Sequence, residues 1–253
     1  MLCGAGLGPG LHLSVEAQQL ILGVGEVATL GAPSTAVEHL RASRVRVSVL
    51  DDLVHDAETY ADGYLAVIDV MLERAATSPP AVLLCGGNPL FLNSTARGLV
   101  DLARQRDIDL RLVPAVSAID TVVNDLGLDV GGAGLQIFDA RQLLGSSIDP
   151  NPLVPLLVMG VDALADDRVL PPGATTEQVW PIFGRRLARG YAPTDVVTLV
   201  TQTTGSGSLD HISVTLADWH ALADQLVPGA HLYVRPTRAR QQDNRTAPRT
   251  EEA

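Results

Sequence analysis

Ala81-Val82-Leu83-Leu84-Cys85-Gly86-Gly87-Asn88-Pro89-Leu90-Phe91 opens as an unbroken apolar run and stops on Gly-Gly-Asn-Pro. A short run without alternation is the pattern of a strand buried on both faces, and such strands belong to parallel sheets sandwiched between helices. Just upstream, Tyr64, Val67, Ile68, Met71 and Leu72 recur at helical spacing, and Ser78-Pro79-Pro80 ends that helix. Just downstream, a helix from about Ser94 to Arg106 leads into a strand over Asp109–Val113. Further out, Val45–Leu50 alternates as a strand and ends at Asp51-Asp52. At the beginning, Met1–Ala5 is a short apolar run that stops at Gly6-Leu7-Gly8-Pro9-Gly10. A strand starting at residue 1 predicts either a true start upstream or a minimal edge strand. Ser14 is placed to cap the next helix, with Glu16 at its positive end and Val15, Leu20, Ile21 and Val24 as its stripe. Strand and helix alternate throughout, which predicts an α/β fold with a mostly parallel sheet and right-handed crossovers. Ligands of such sheets gather at the carboxyl ends of the strands, where both glycine-rich turns lie.

The chain changes character after Pro114. Strands are predicted over Leu153–Val161, Asp195–Gln202, His211–Ser213 and His231–Val234, joined by hairpin-like turns, with Thr203–Ser208 as a flexible loop. The expected organisation is an N-terminal α/β domain over 1–113, a second domain with a mixed sheet over 114–235, and a polar, disordered tail over 236–253. No internal repeat is visible.

Composition removes several classes of function. The 253 residues carry a formal net charge of −11, and every one of the 18 basic side chains is an arginine. An acidic surface repels a phosphate backbone, so no nucleic-acid partner is expected. Without lysine there is no P-loop and no Schiff-base chemistry. The two cysteines, Cys3 and Cys85, both lie inside apolar runs and read as buried thiols rather than a disulfide scaffold. No window approaches 18 uninterrupted apolar residues and no charged segment precedes the first apolar stretch, so neither a membrane span nor a signal peptide is expected, and the compartment expected is the cytoplasm. The six histidines never fall at metal-ligand spacing with cysteine or carboxylate, so no metal site is expected.

Gly6, Gly8 and Gly10 let backbone amides approach a ligand and tolerate positive φ. Their two-residue spacing, interrupted by Pro9, departs from the dinucleotide-binding G-x-G-x-x-G pattern, although Asp51 or Asp52 could serve as its acid. A plain tight turn accounts for them equally.

The order of four segments resembles the tetrapyrrole methylase superfamily, the class III S-adenosylmethionine (SAM)-dependent methyltransferases. Gly6-Leu7-Gly8-Pro9-Gly10 resembles the opening G-x-G-P-G loop, and Leu84–Phe91 the second glycine loop. Pro114-Ala115-Val116-Ser117-Ala118 is similar to the junction P-G-I-S-A, and His231-Leu232-Tyr233-Val234-Arg235-Pro236 to the closing strand. Within the superfamily, Leu11-His12-Leu13-Ser14-Val15-Glu16-Ala17 and the stretch Pro114–Leu144 resemble the borosin-type peptide backbone N-methyltransferases. There are departures: Tyr60 stands where those enzymes carry an Arg, Gly86 where they carry a Tyr, and Asn88 where they carry a His.

The resemblance implies a two-domain class III methyltransferase fold, a homodimer, SAM as co-substrate in a cleft completed by the C-terminal domain, and no metal. Gly8, Pro9, Gly87, Asn88, Pro89, Leu90, Phe91, Ser117, Ala118, Gln136 and Met159 are the implied cofactor-binding residues. Tyr64, Tyr60 and Asp62 are the implied catalytic residues, steering or deprotonating the acceptor. Plainer roles stand beside these: a core Tyr64, a helix-capping Ser117, a Gln136 that satisfies backbone groups, a His12 that orders its loop. The substrate implied is a peptide or small molecule, with borosin-like N-methylation favoured. The alternatives are methylation of a corrin or porphyrin precursor and a non-catalytic SAM-binding partner protein.

Overall fold

The computed structural model describes residues 1–8, 12–166, 168, 175–202 and 209–235. Pro9, the loop expected over Thr203–Ser208 and the tail expected over 236–253 lie outside the described residues. The described chain divides into two compact units, over 1–122 and 123–235. The division falls eight residues or so beyond Pro114, because the Pro114–Ser117 segment is tied to the first unit by a side chain described below.

The first unit alternates strand and helix: β1 (Leu2–Gly4), α1 (Val15–Val24), β2 (Glu26–Leu30), α2 (Ser34–Ala42), β3 (Arg46–Val49), α3 (Asp51–His55), α4 (Tyr60–Thr77), β4 (Leu83–Cys85), α5 (Ser94–Gln105), β5 (Leu112–Val113) and the start of α6 (Ala118–Asp125). The sheet order is β3-β2-β4-β1-β5 and every pairing is parallel. β1 is not an edge strand. It pairs with β4 on one side and β5 on the other, and it tolerates only three residues because all three are buried.

Neighbouring residues of the strands feed opposite cores, as a pleat of period two requires. Cys3 and Leu84 pack with Ile21 and Leu40 under α1 and α2, while Leu2 and Leu83 pack with Val67, Ile68 and Met71 under α4 and α5. Burying each of these aliphatic side chains contributes about 1.5–3 kcal/mol, so a sheet of such short strands is held by its two faces rather than by its ladders. Burial also pushes the Cys85 thiol up to about 12, which leaves it protonated and unreactive at neutral pH. The helix caps follow the sequence: Ser14 accepts from the Ala17 N–H at 3.1 Å, and Asn93 from the Ala96 N–H at 2.9 Å.

The second unit holds α7 (Val130–Ala133), β6 (Gln136–Asp139), α8 (Ala140–Gly145), β7 (Leu156–Met159), α9 (Thr176–Leu187), β8 (Val196–Gln202), β9 (Leu209–Thr215) and β10 (His231–Arg235). Its sheet runs β6-β7-β10-β8-β9, parallel between β6 and β7 and antiparallel elsewhere. The expected hairpin succession holds only for β8 and β9. α9 separates β7 from β8, and the 3-10 helix Leu216–Gln225 separates β9 from β10. These insertions carry the core: the Trp180 and Trp219 rings stack with centroids 4.4 Å apart, beside the fully buried Phe183. Among the described residues no helix is long and apolar enough to cross a membrane.

Two predictions follow from the packing of this unit. Gly184 lies in α9 directly beneath Trp219, and a Cβ there collides with the indole ring. Gly→Ala in a helix ordinarily gains up to about 1 kcal/mol; Gly184→Ala is expected instead to lose about 1–3 kcal/mol by overpacking, read from urea denaturation followed by tryptophan fluorescence. The second concerns His231, whose Nδ1 accepts the N–H of Gly160 at 3.1 Å and whose burial lowers its pKa to about 4. A folded-state value below the ordinary 6.5 favours the neutral ring, so this stabilisation is complete above pH 6.5 and is lost as pH falls towards 4. Denaturation curves between pH 7 and 4 are expected to show a loss of about 1–3 kcal/mol that His231→Asn, which does not titrate, lacks.

Candidate functional site

All five strands of the first unit point the same way, so the segments following β1, β2, β3, β4 and β5 share one edge of the sheet. Backbone pairing knits them. The Gly87 N–H donates to the Gly6 carbonyl at 2.8 Å and the Gly6 N–H to the Gly87 carbonyl at 3.3 Å, which locks the two glycine turns face to face. The Gly86 N–H donates to the Leu30 carbonyl at 2.9 Å, which brings the segment after β2 against the same turn. A Cβ on Gly86 would run into the carbonyl oxygen of Gly31, so no larger residue fits there while Gly31 keeps its place. Gly31 is itself held, its N–H donating to the Asp51 carboxylate at 2.9 Å at the start of α3.

Asn88 ties in the last segment. Its Nδ2 donates to the Ala115 carbonyl at 3.3 Å while its Oδ1 accepts the Leu90 N–H at 3.2 Å, so one side chain shapes its own turn and anchors the one after β5. Next to it, Ser117 is 5% exposed, and its N–H and hydroxyl both donate to the Asp120 carboxylate at 2.7 Å, which starts α6 at Ala118. Pro89 is buried and Leu90 and Phe91 are half-buried, with Leu90 resting on the core beneath α4 and α5. Gly8 has φ of 82°. His12 is exposed, and its Cβ stands against the Gly6 Cα, where a side chain on residue 6 would be.

The first turn of α4 must start from this edge, since the helix returns the chain to the other end of the sheet for β4. Tyr60 in that turn and Tyr64 in the next are half-buried, with ring centroids 5.9 Å apart at 36°. Asp62 is exposed and receives the Thr59 hydroxyl at 2.6 Å, while Thr59 Oγ1 accepts the Asp62 N–H at 3.2 Å, a reciprocal cap on the helix.

The two remaining candidates belong to the second unit. Gln136 spends its side-chain amide inside that unit: Nε2 donates to the Asn151 and Val154 carbonyls at 2.8 and 2.9 Å, and Oε1 accepts the Asn151 N–H at 2.7 Å. Met159 ends β7, is 2% exposed, and precedes the left-handed Gly160 held by His231. The structure thus gathers Gly8, Gly87, Asn88, Pro89, Leu90, Phe91, Ser117, Ala118 and the tyrosine pair at one edge of the first unit. Reading the sequence missed Gly31, Asp51 as its anchor, and the Ala115 carbonyl; the Gly31-Ala32-Pro33 turn was the available signal. Among the described residues no group of three or more His, Cys, Asp or Glu side chains is placed to hold a metal.

The family model of the Tetrapyrrole (Corrin/Porphyrin) Methylases matches residues 1–149. A methyltransferase/ribosomally synthesized type III borosin cyclic peptide precursor of Anomoporia bombycina is 25% identical over 115 residues, which is 45% of this chain and 13% of that protein. The chain therefore spans only a small part of that relative's length. Among solved structures, uroporphyrin-III-C-methyltransferase from Thermus thermophilus superposes with a TM-score of 0.64 at 16% identity, covering 96% of this chain and 94% of that one. A complex of the enzyme from that organism with S-adenyl homocysteine gives a TM-score of 0.64 at 17% identity, covering 95% and 98%. The structural likenesses bear on fold alone and establish the two-domain class III architecture. The family match covers more than half of the sequence, and the chain belongs to the tetrapyrrole (corrin/porphyrin) methylase family of SAM-dependent methyltransferases.

Proposed function

We propose that this protein transfers the methyl group of SAM to a peptide or small-molecule acceptor, by chemistry of the borosin N-methylation type. The observation that carries the reading is the Gly6–Gly87 backbone pairing with the Asn88–Ala115 tie, which sets three turns of the sheet edge in fixed register. Bound SAM supplies a methyl on a sulfonium; the acceptor lone pair forms the new bond as the carbon–sulfur bond breaks, a neutral thioether leaves, and the acceptor's proton passes to a base.

A sulfonium needs little help to depart, so the protein's task is orientation. Backbone groups of Gly8, Gly87, Asn88 and Pro89 with Ser117 and Ala118 hold the donor, and Leu90 and Phe91 supply apolar contact. Tyr64 and Tyr60 steer the acceptor, and Tyr64 or Asp62 receives its proton. The net charge of −11 and the absence of lysine disfavour an acid-rich corrin or porphyrin acceptor and favour a neutral or basic one. The working form in this reading is a cytoplasmic homodimer.

Calorimetry with S-adenosylhomocysteine tests the reading directly. The wild-type protein is expected to bind it saturably, and Asn88→Ala to bind about fivefold to tenfold more weakly through loss of two hydrogen bonds. Tyr64→Phe is expected to keep that affinity within about twofold while slowing transfer of labelled methyl to peptide and amine acceptors by about a hundredfold. A folded wild-type protein that takes up no S-adenosylhomocysteine sinks the proposal.

A further inference from the structure

Among the described residues, three other than glycine have left-handed backbone: Arg44 with φ of 63°, Leu92 with 52° and Asp107 with 54°. Arg44 and Asp107 need no special explanation. Each sits just past a helix, after Ser43 and Arg106, and the following N–H reaches back to close the helix end, Val45 to the Leu40 carbonyl at 3.0 Å and Ile108 to the Ala103 carbonyl at 2.9 Å. A left-handed residue is a common way to stop a helix.

Leu92 has no such role, since it precedes a helix. Its φ is imposed from both sides. Upstream, Asn88 holds the turn through the Leu90 N–H, and the Phe91 N–H donates to the Asn88 carbonyl at 3.1 Å. Downstream, Asn93 is fixed as the cap of α5. Glycine or asparagine would occupy the position with less strain, yet the chain places a branched apolar residue there and leaves it 47% exposed. A large hydrophobe that is both strained and half in water gains less from the fold than a buried one does. Strain of this kind persists where a ligand uses it.

The geometry points to Leu92 as a binding residue of the donor site, its half-exposed side chain making an apolar contact with bound SAM. The inference rests on the proposed donor site and adds a residue that neither the sequence motif nor the hydrogen bonding marks. It explains why the turn ends in Leu92-Asn93 rather than in a glycine: relaxing the backbone would withdraw the side chain from the donor.

Stability and binding should therefore move in opposite directions, which a packing role does not produce. Leu92→Gly and Leu92→Asn are expected to melt about 2 °C higher than wild type, and to bind S-adenosylhomocysteine about tenfold more weakly in calorimetry. Leu92→Met, which keeps the apolar bulk, should stay within about threefold. Variants that bind as tightly as wild type overturn the inference, and so do variants that melt lower, since Leu92 would then be serving the fold. Wild-type protein without affinity removes the donor site itself, an outcome distinct from loss of the Leu92 contact alone.

Discussion

The reciprocal pairing of Gly6 with Gly87 is the constraint on which the rest of the first unit depends. Two hydrogen bonds between turns separated by some eighty residues contribute only about 1 kcal/mol each, but they decide geometry rather than stability. They fix how far β1 and β4 run before turning, and the turn after β4 in turn sets where Asn88 points. Asn88 then captures the Ala115 carbonyl, and the segment leading to α6 is drawn to the same edge. Each tie depends on the one before, so the edge is assembled as a unit.

Such an edge suits a ligand better than it suits the protein alone. Its backbone groups are brought together by glycine turns with few side chains between, while the hydrophobic cores lie below, under α1 and α2 on one face and α4 and α5 on the other. The strain is distributed in the same way. At helix ends, left-handed residues close hydrogen bonds; at the glycine edge, Leu92 is held in that conformation half-exposed. The apolar cores supply the stability against which the edge can be kept in a fixed and partly unfavourable form.

Much of this was legible in the sequence, where local chemistry acts alone. The buried run ending at Cys85, the cap at Ser14 and the stripe of α4 depend on neighbouring residues, and each appears as read. β2 was not legible: its five residues lie between Gly25 and Gly31, begin with a glutamate, and split between two cores, with Val27 on one side and Ala28 on the other. α9 was not legible: Pro181 and Gly184 interrupt its helical pattern, and the space at Gly184 is filled by the Trp219 ring. Gln136 was readable only in part: its amide satisfies backbone groups, the plainer of the two roles open to it, but the partners Asn151 and Val154 are 15 and 18 residues away and are brought near only by the pairing of β6 with β7.

The departures from the borosin pattern also look different once packing is known. Gly86 in place of a tyrosine has the look of the simple loss of a catalytic group. A Cβ there would instead run into the Gly31 carbonyl oxygen, and Gly31 is pinned by Asp51, so the space that a side chain at 86 would need is already filled by backbone. The substitution is thus coupled to the position of the segment after β2 and to an acid at the start of α3, three residues that must change together. Restoring a tyrosine at 86 alone would push that segment away rather than rebuild a site. On the proposed function, the tyrosine pair on α4 acts without a partner at 86, which favours acceptors that need the least help in giving up a proton.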